Sequence, residues 1–191
     1  MKIDVPDGKS GNWSVETFEV SEKEAFVSNL KMLSSSSTRY IKAGIYKRLR
    51  RNGVVVMSNT PVEIDDCIHF IHIAKGNILI NGLGLGVVLR ELLNKEDVKS
   101  IIVIEKSEDV IKLVVPFYKD KRLTIINADA LEWKPPKGQR YDFVWHDIWD
   151  DICDDNLKEM EKLHRKYSKK TDWQDSWCKK LCKKLKRSAL P

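Results

Sequence analysis

The sequence predicts an α/β protein built around a parallel sheet. Short apolar runs recur at 77–81 (NILIN), 100–105 (SIIVIE), 122–127 (RLTIIN) and 141–145 (YDFVW). Stretches of helical periodicity, at 85–93 and 108–115, lie between them. Runs apolar at successive positions belong to strands covered on both faces, and such strands alternating with helices make parallel sheets. The chain has 191 residues, 42% hydrophobic and 32% charged. That suits one globular domain with a small appendage and argues against a wholly disordered chain.

The elements follow in order. Residues 13–20 (WSVETFEV) alternate apolar and polar side chains and read as a strand. Ser21 and Glu24 form a capping-box pattern that opens a helix to about residue 32. A polar linker is expected at 34–37. Residues 45–50 and 54–57 flank Asn52-Gly53, a hairpin signal. Thr60 is placed to cap a helix that has Pro61 at its first position and runs to about residue 74. The four core strands come next. After Asp150 the chain reads as two helices separated near 170–172, with no further strand expected. The resulting division is 1–60 (strand, helix and hairpin appendage), 61–151 (core) and 152–191 (basic helical tail).

The charge is uneven. The chain carries 34 Lys+Arg against 28 Asp+Glu, a net of +6. Residues 157–191 hold 12 cations and 4 acids, so the net of the other 156 residues is −2. Six aspartates, from Asp142 to Asp155, crowd the segment just before the tail. No apolar run approaches the roughly 20 residues a bilayer span needs, and the N-terminus lacks the apolar stretch of a signal peptide. A cytoplasmic protein is expected. The four cysteines do not make a disulfide framework in a chain this long. Cys178 and Cys182 are four apart with no second Cys/His pair nearby, so no metal site is expected.

The chemistry concentrates at the strand ends. The first core strand runs into Gly82-Leu83-Gly84-Leu85-Gly86, and a helix follows. Glycine permits positive φ and close approach of a ligand to the backbone. The dinucleotide fingerprint needs a glycine at 87, where Val87 stands, which disfavours NAD and FAD. Glu105 ends the second strand, 23 residues after Gly82, where a carboxylate can accept both hydroxyls of a ribose. Asp129, followed by Ala130, ends the third strand. It is placed either to bind an adenine amine or to cap the following helix. His146-Asp147 and Trp149-Asp150-Asp151 end the fourth. Four strand ends thus bring polar groups to one crevice of a Rossmann-like sheet.

In these residues the sequence resembles the class I S-adenosylmethionine-dependent methyltransferase superfamily, and more narrowly its spermidine synthase-like branch. The stretch GLGLGVVLRELLNKEDVKSIIVIEKSEDVI (82–111) carries the resemblance, with NADALEW (127–133) and YDFVWHDIWDD (141–151) at the third and fourth motif positions. The resemblance covers about residues 45–151. It implies that S-adenosylmethionine is the cofactor, with its methionine part at Gly82, Gly84 and Gly86, its ribose on Glu105 and its adenine beside Asp129 and Ala130. The chain departs from the synthases in two places. Leu85 stands where they have an aspartate in the glycine loop, and Asp151 stands where they have proline. These departures favour methyl transfer to an unidentified acceptor over aminopropyl transfer. A non-catalytic cofactor- or nucleic-acid-binding module is the third reading.

A base is needed only for an acceptor that carries a proton near neutral pH. Asp147 and His146 are the candidates. Alternation along a strand points them opposite ways, and the family pattern turns Asp147 toward the crevice. The acidic cluster, with Asp150 and Asp151, either holds a cationic acceptor such as a polyamine or a basic side chain, or starts a helix. Trp145 and Trp149 either wall the pocket or pack the core. In the tail, Trp177, Leu181, Cys182 and Leu185 share one helical face and lysines cover the rest. That helix, at 177–187, docks on the domain, contacts nucleic-acid phosphates, or meets a partner or membrane surface. A sheet short of strands leaves an edge that invites a homo-oligomer.

Overall fold

The computed structural model describes residues 3–34 and 40–188. Four strands, β1 (Gly8–Ser10), β2 (Trp13–Val20), β3 (Gly44–Arg51) and β4 (Val54–Ser58), form an antiparallel sheet in chain order. Helix α1 (Glu22–Ser34) leaves from the end of β2. The capping box forms as expected: the Ser21 N–H and hydroxyl both donate to Glu24 Oε2, at 2.8 and 2.7 Å, and the Glu24 N–H donates back to Ser21 Oγ at 3.2 Å. Asn52 and Gly53 both adopt positive φ, 51° and 81°, which the tight Asn-Gly hairpin requires. The expected polar linker lies outside the described residues from position 35 onward.

The second sheet is the core. It follows α2 (Pro61–Ile73) and is built from β5 (Gly76–Asn81), α3 (Val87–Leu93), β6 (Val98–Glu105), α4 (Glu108–Val114), β7 (Leu123–Asn127), β8 (Tyr141–His146), α5 (Asn156–Tyr167), β9 (Thr171–Ser176) and α6 (Lys179–Ser188). The strand order is β7-β6-β5-β8-β9, parallel throughout, a doubly wound Rossmann-like arrangement. Both faces are covered, as the apolar runs predict. Ile78 and Ile80 of β5 pack with Phe70 of α2 and Leu89 of α3, while Leu79 packs on the other face with Leu163 and Tyr167 of α5. Among the described residues, no helix is long and apolar enough to cross a membrane.

Two expectations need correction. The tail is not helical throughout, because residues 171–176 form β9, a fifth parallel strand paired to β8 from Tyr141↔Thr171 to His146↔Ser176. Its composition, TDWQDS, hides it. As an edge strand it has one neighbour, so it can carry Asp172 and Gln174 where a central strand would need apolar residues. At α2, Thr60 does stand at the N-cap with Pro61 behind it, but its hydroxyl lies 2.9 Å from Ser58 Oγ and caps no helix N–H. Glu63 instead reaches back, accepting from the Ser58 N–H at 2.7 Å and the Ser58 hydroxyl at 2.8 Å.

Candidate functional site

Strand order reverses between β5 and β8, so their carboxyl ends diverge into a crevice where ligands of such sheets bind. A cavity of about 420 Å³ opens there, within the ordinary size range for small-molecule sites.

The glycine loop forms one wall. Gly82 and Gly84 line the cavity and Gly86 does not. Each has a positive φ (97°, 53° and 76°), and each is needed for a protein contact. A Cβ on Gly82 would overlap the Asp147 carbonyl, so this glycine lets the ends of β5 and β8 approach. A Cβ on Gly84 would overlap Met57 Sδ of the hairpin. Gly86, placed with the cofactor by the sequence, instead serves as N-cap of α3 under the ring of Tyr118, whose hydroxyl donates to the Leu85 carbonyl at 3.1 Å. Leu85 is fully buried in the core.

Glu105 ends β6 at the cavity edge. Its Oε2 accepts from the Leu83 N–H at 2.9 Å and its Oε1 from the Ser107 N–H at 2.7 Å. Burial raises its pKa above the ordinary value, against the pull of these bonds. The Lys106 backbone N–H adds a third bond, and of the carboxylate's roughly four acceptor sites one is left for a ligand. Asp129 and Ala130 line the cavity after β7. Asp129 Oδ1 accepts from the Leu131 N–H at 2.8 Å, and Oδ2 pairs with Lys106 Nζ at 2.8 Å, an ion pair that holds its pKa low. The carboxylate thus braces its own loop while facing the cavity. Lys166 of α5 fixes the same loop by donating to the carbonyls of Ala130, Leu131 and Trp133, each at 2.8 Å.

The end of β8 divides the remaining candidates. Asp147 lines the cavity. Burial pushes its pKa up to about 7, and the Glu63 carboxylate nearby adds to the rise. His146 lies on the opposite face and does not reach the cavity. It is fully buried, with Nδ1 2.8 Å from Asn81 Nδ2 and Nε2 3.2 Å from Gln174 Oε1. Burial lowers its pKa to about 3. It packs as a neutral ring beside His164 and Tyr167. Trp149 and Asp150 line the cavity, whereas Asp151 is exposed outside it. Trp145 belongs to the core, stacked on Phe70 with ring centroids 5.0 Å apart.

Several lining residues went unread in the sequence. Trp13, Arg51 and Met57 come from the antiparallel sheet, Glu63 and Cys67 from α2, Glu159 from α5, and Trp177 from the turn after β9. Arg51 stacks over Trp13, 5.4 Å from the ring centroid, and ion-pairs with Asp150 across the cavity mouth. Trp149 Nε1 donates to Glu159 Oε2 at 2.8 Å. Six carboxylates (Glu63, Glu105, Asp129, Asp147, Asp150 and Glu159) therefore face two cations, Arg51 and Lys106. The electrostatic preference is for a cationic ligand.

No protein-family model matches the chain. Over 78 residues it is 33% identical to polyamine aminopropyltransferase 1 of Streptomyces coelicolor, a stretch covering 36% of this chain and 15% of that protein. The chain also superposes on spermidine synthase from Thermotoga maritima over 87% of its length and 52% of the synthase, with a TM-score of 0.50 and 17% identity. An S-adenosylmethionine-dependent methyltransferase from Mesorhizobium loti matches over 46% of this chain and 40% of its own, with a TM-score of 0.36 and 17% identity. The chain thus spans about half the length of the Thermotoga synthase and a smaller part of the Streptomyces protein. Over most of its described length it has the α/β fold of spermidine synthase.

Proposed function

We propose that the chain is an S-adenosylmethionine-dependent methyltransferase acting on a cationic amine. The observation that carries this is one cavity at the sheet's switch point, edged by the glycine loop and Glu105 and lined by acids from α2, the loop after β8 and α5. The residues present fit such a cofactor. Glu105 is held by the backbone N–H groups of Leu83, Lys106 and Ser107 and keeps acceptor capacity for a ribose hydroxyl. Ile104, Val110 and Leu131 supply apolar wall beside Asp129 and Ala130 for a flat base. When bound, the cofactor supplies a methyl group already activated by its sulfonium.

The chain's own residues then position the acceptor, and orientation of this kind supplies up to ~7–11 kcal/mol. Glu63 and Glu159 draw the amine in by charge. Asp147, with a pKa near 7, is poised to take a proton from an ammonium group near neutral pH. Trp149 and Trp177 narrow the space in which water competes.

A second reading, aminopropyl transfer, draws on the excess of carboxylates over cations, which suits a donor lacking a carboxylate of its own, and on the Streptomyces match. Against it, the glycine loop buries Leu85 and offers no acid to the cavity.

Calorimetric titration separates the two. S-adenosylmethionine and its demethylated product are expected to bind, and Glu105→Ala to weaken both by about 1–3 kcal/mol, as for lost hydrogen bonds to a charged group. Preference for decarboxylated S-adenosylmethionine would establish the second reading. Binding of none would overturn both.

A further inference from the structure

Helix α6 (Lys179–Ser188) contributes nothing to the cavity, yet it holds six cations and no acid in ten residues: Lys179, Lys180, Lys183, Lys184, Lys186 and Arg187. The whole chain has a net charge of +6, so everything outside this helix sums to zero. Lys179 alone is drawn inward, toward Asp175 at 3.5 Å and His164 Nδ1 at 3.4 Å. The other five are exposed, and among the described residues none of them forms an ion pair. An unneutralised row of cations on a folded helix carries a self-repulsion that a polyanion relieves.

We propose that α6 is a docking surface for the phosphate backbone of duplex DNA, set beside the cavity mouth. Three features choose this occupant. The apolar side of α6 is already used, with Cys182 fully buried near Leu157 and Met160 of α5, and only Leu185 (47% exposed) is left for solvent. An interfacial membrane helix needs a free apolar face to sink among acyl chains, so a lipid surface is disfavoured. The exposed side of α6 carries no aromatic ring. Binders of single strands stack unpaired bases on such rings, so a duplex is favoured over a single strand. The B-form major groove admits a helix, whereas the deep, narrow A-form groove does not, which favours DNA over duplex RNA. Trp177, two residues before α6, lines the cavity, so DNA held on α6 lies next to the mouth. The surface stands independently of the reaction proposed for the cavity.

The test is fluorescence anisotropy of a labelled random-sequence DNA duplex against the full chain over a series of salt concentrations. Five exposed cations predict a slope of log affinity against log salt of about −4 to −5. The fourfold variant K180Q/K183Q/K184Q/K186Q keeps helix-compatible side chains, and its circular dichroism melt shows whether it is folded. Its slope should fall to about −1. Competition with single-stranded DNA, duplex RNA and anionic phospholipid vesicles should displace the duplex weakly. No duplex binding at low salt, an unchanged slope in the folded variant, or stronger binding to vesicles, duplex RNA or single strands would each overturn the proposal.

Discussion

Two polar clusters flank the end of β8, one residue apart in sequence and on opposite faces of the sheet. On one face His146 is enclosed by Asn81 and Gln174, with Tyr167 and His164 packed around it. On the other, Asp147 sits among the carboxylates of the cavity. Both are withdrawn from water, but both ring nitrogens of His146 meet partners within the chain, whereas Asp147 faces a cavity with room for a ligand. The closed cluster holds β5, β8, β9 and α5 in register, and the open one uses the frame so made.

The strongest way to break the contrast is to remove the backbone approach that sustains both clusters. Gly82→Ala places a Cβ against the Asp147 carbonyl at a positive φ. It should cost roughly 2–5 kcal/mol from overpacking and strain together, read as a fall in the urea midpoint. Next comes the closed cluster alone. Asn81→Leu leaves the buried His146 Nδ1 without its partner and should destabilise by about 1–3 kcal/mol, with cofactor affinity in calorimetry nearly unchanged once folded protein is compared. An equal loss of affinity would show that the two faces are not separable.

A last test sharpens the comparison through pH. Asp147 is raised from 3.8 to about 7, so between those values the folded state binds a proton that the unfolded state does not, and stability falls as pH rises. His146 is lowered from 6.5 to about 3, so in its window the unfolded state binds the extra proton and stability rises with pH. The two slopes oppose each other between about pH 4 and 6.5. Asp147→Asn should leave a melting temperature that climbs more steeply across that range, and His146→Gln one that declines. Parallel profiles for both variants would deny the opposition.

Much of this was legible in the sequence because it is local. The strands from β5 to β8 announce themselves as apolar runs, and the glycine loop and Glu105 lie on adjacent strand ends whose spacing the βαβ unit fixes. What was hidden depends on distance in the chain. Thr171–Ser176 gives no strand signal, because an edge strand tolerates polar residues that only its pairing to β8 reveals. Gly86 looks like its two neighbours, yet the ring of Tyr118, 32 residues on, explains it. Arg51, Glu63 and Glu159 are ordinary surface types in three separate elements, and Trp177 lies in the turn after β9. Nothing in one sequence says that they meet.

The Arg51–Asp150 pair joins the hairpin of one sheet to the strand end of the other, and both side chains remain well exposed, at 49% and 35%. An exposed pair of this kind contributes only ~0.2–1 kcal/mol, close to thermal energy. The fastening across the mouth is therefore a latch that ordinary agitation lifts, and traffic through it needs no movement of either sheet. Dissolved salt loosens the same latch, and it weakens the cavity's pull on a cation under the very conditions that strip a polyanion from α6.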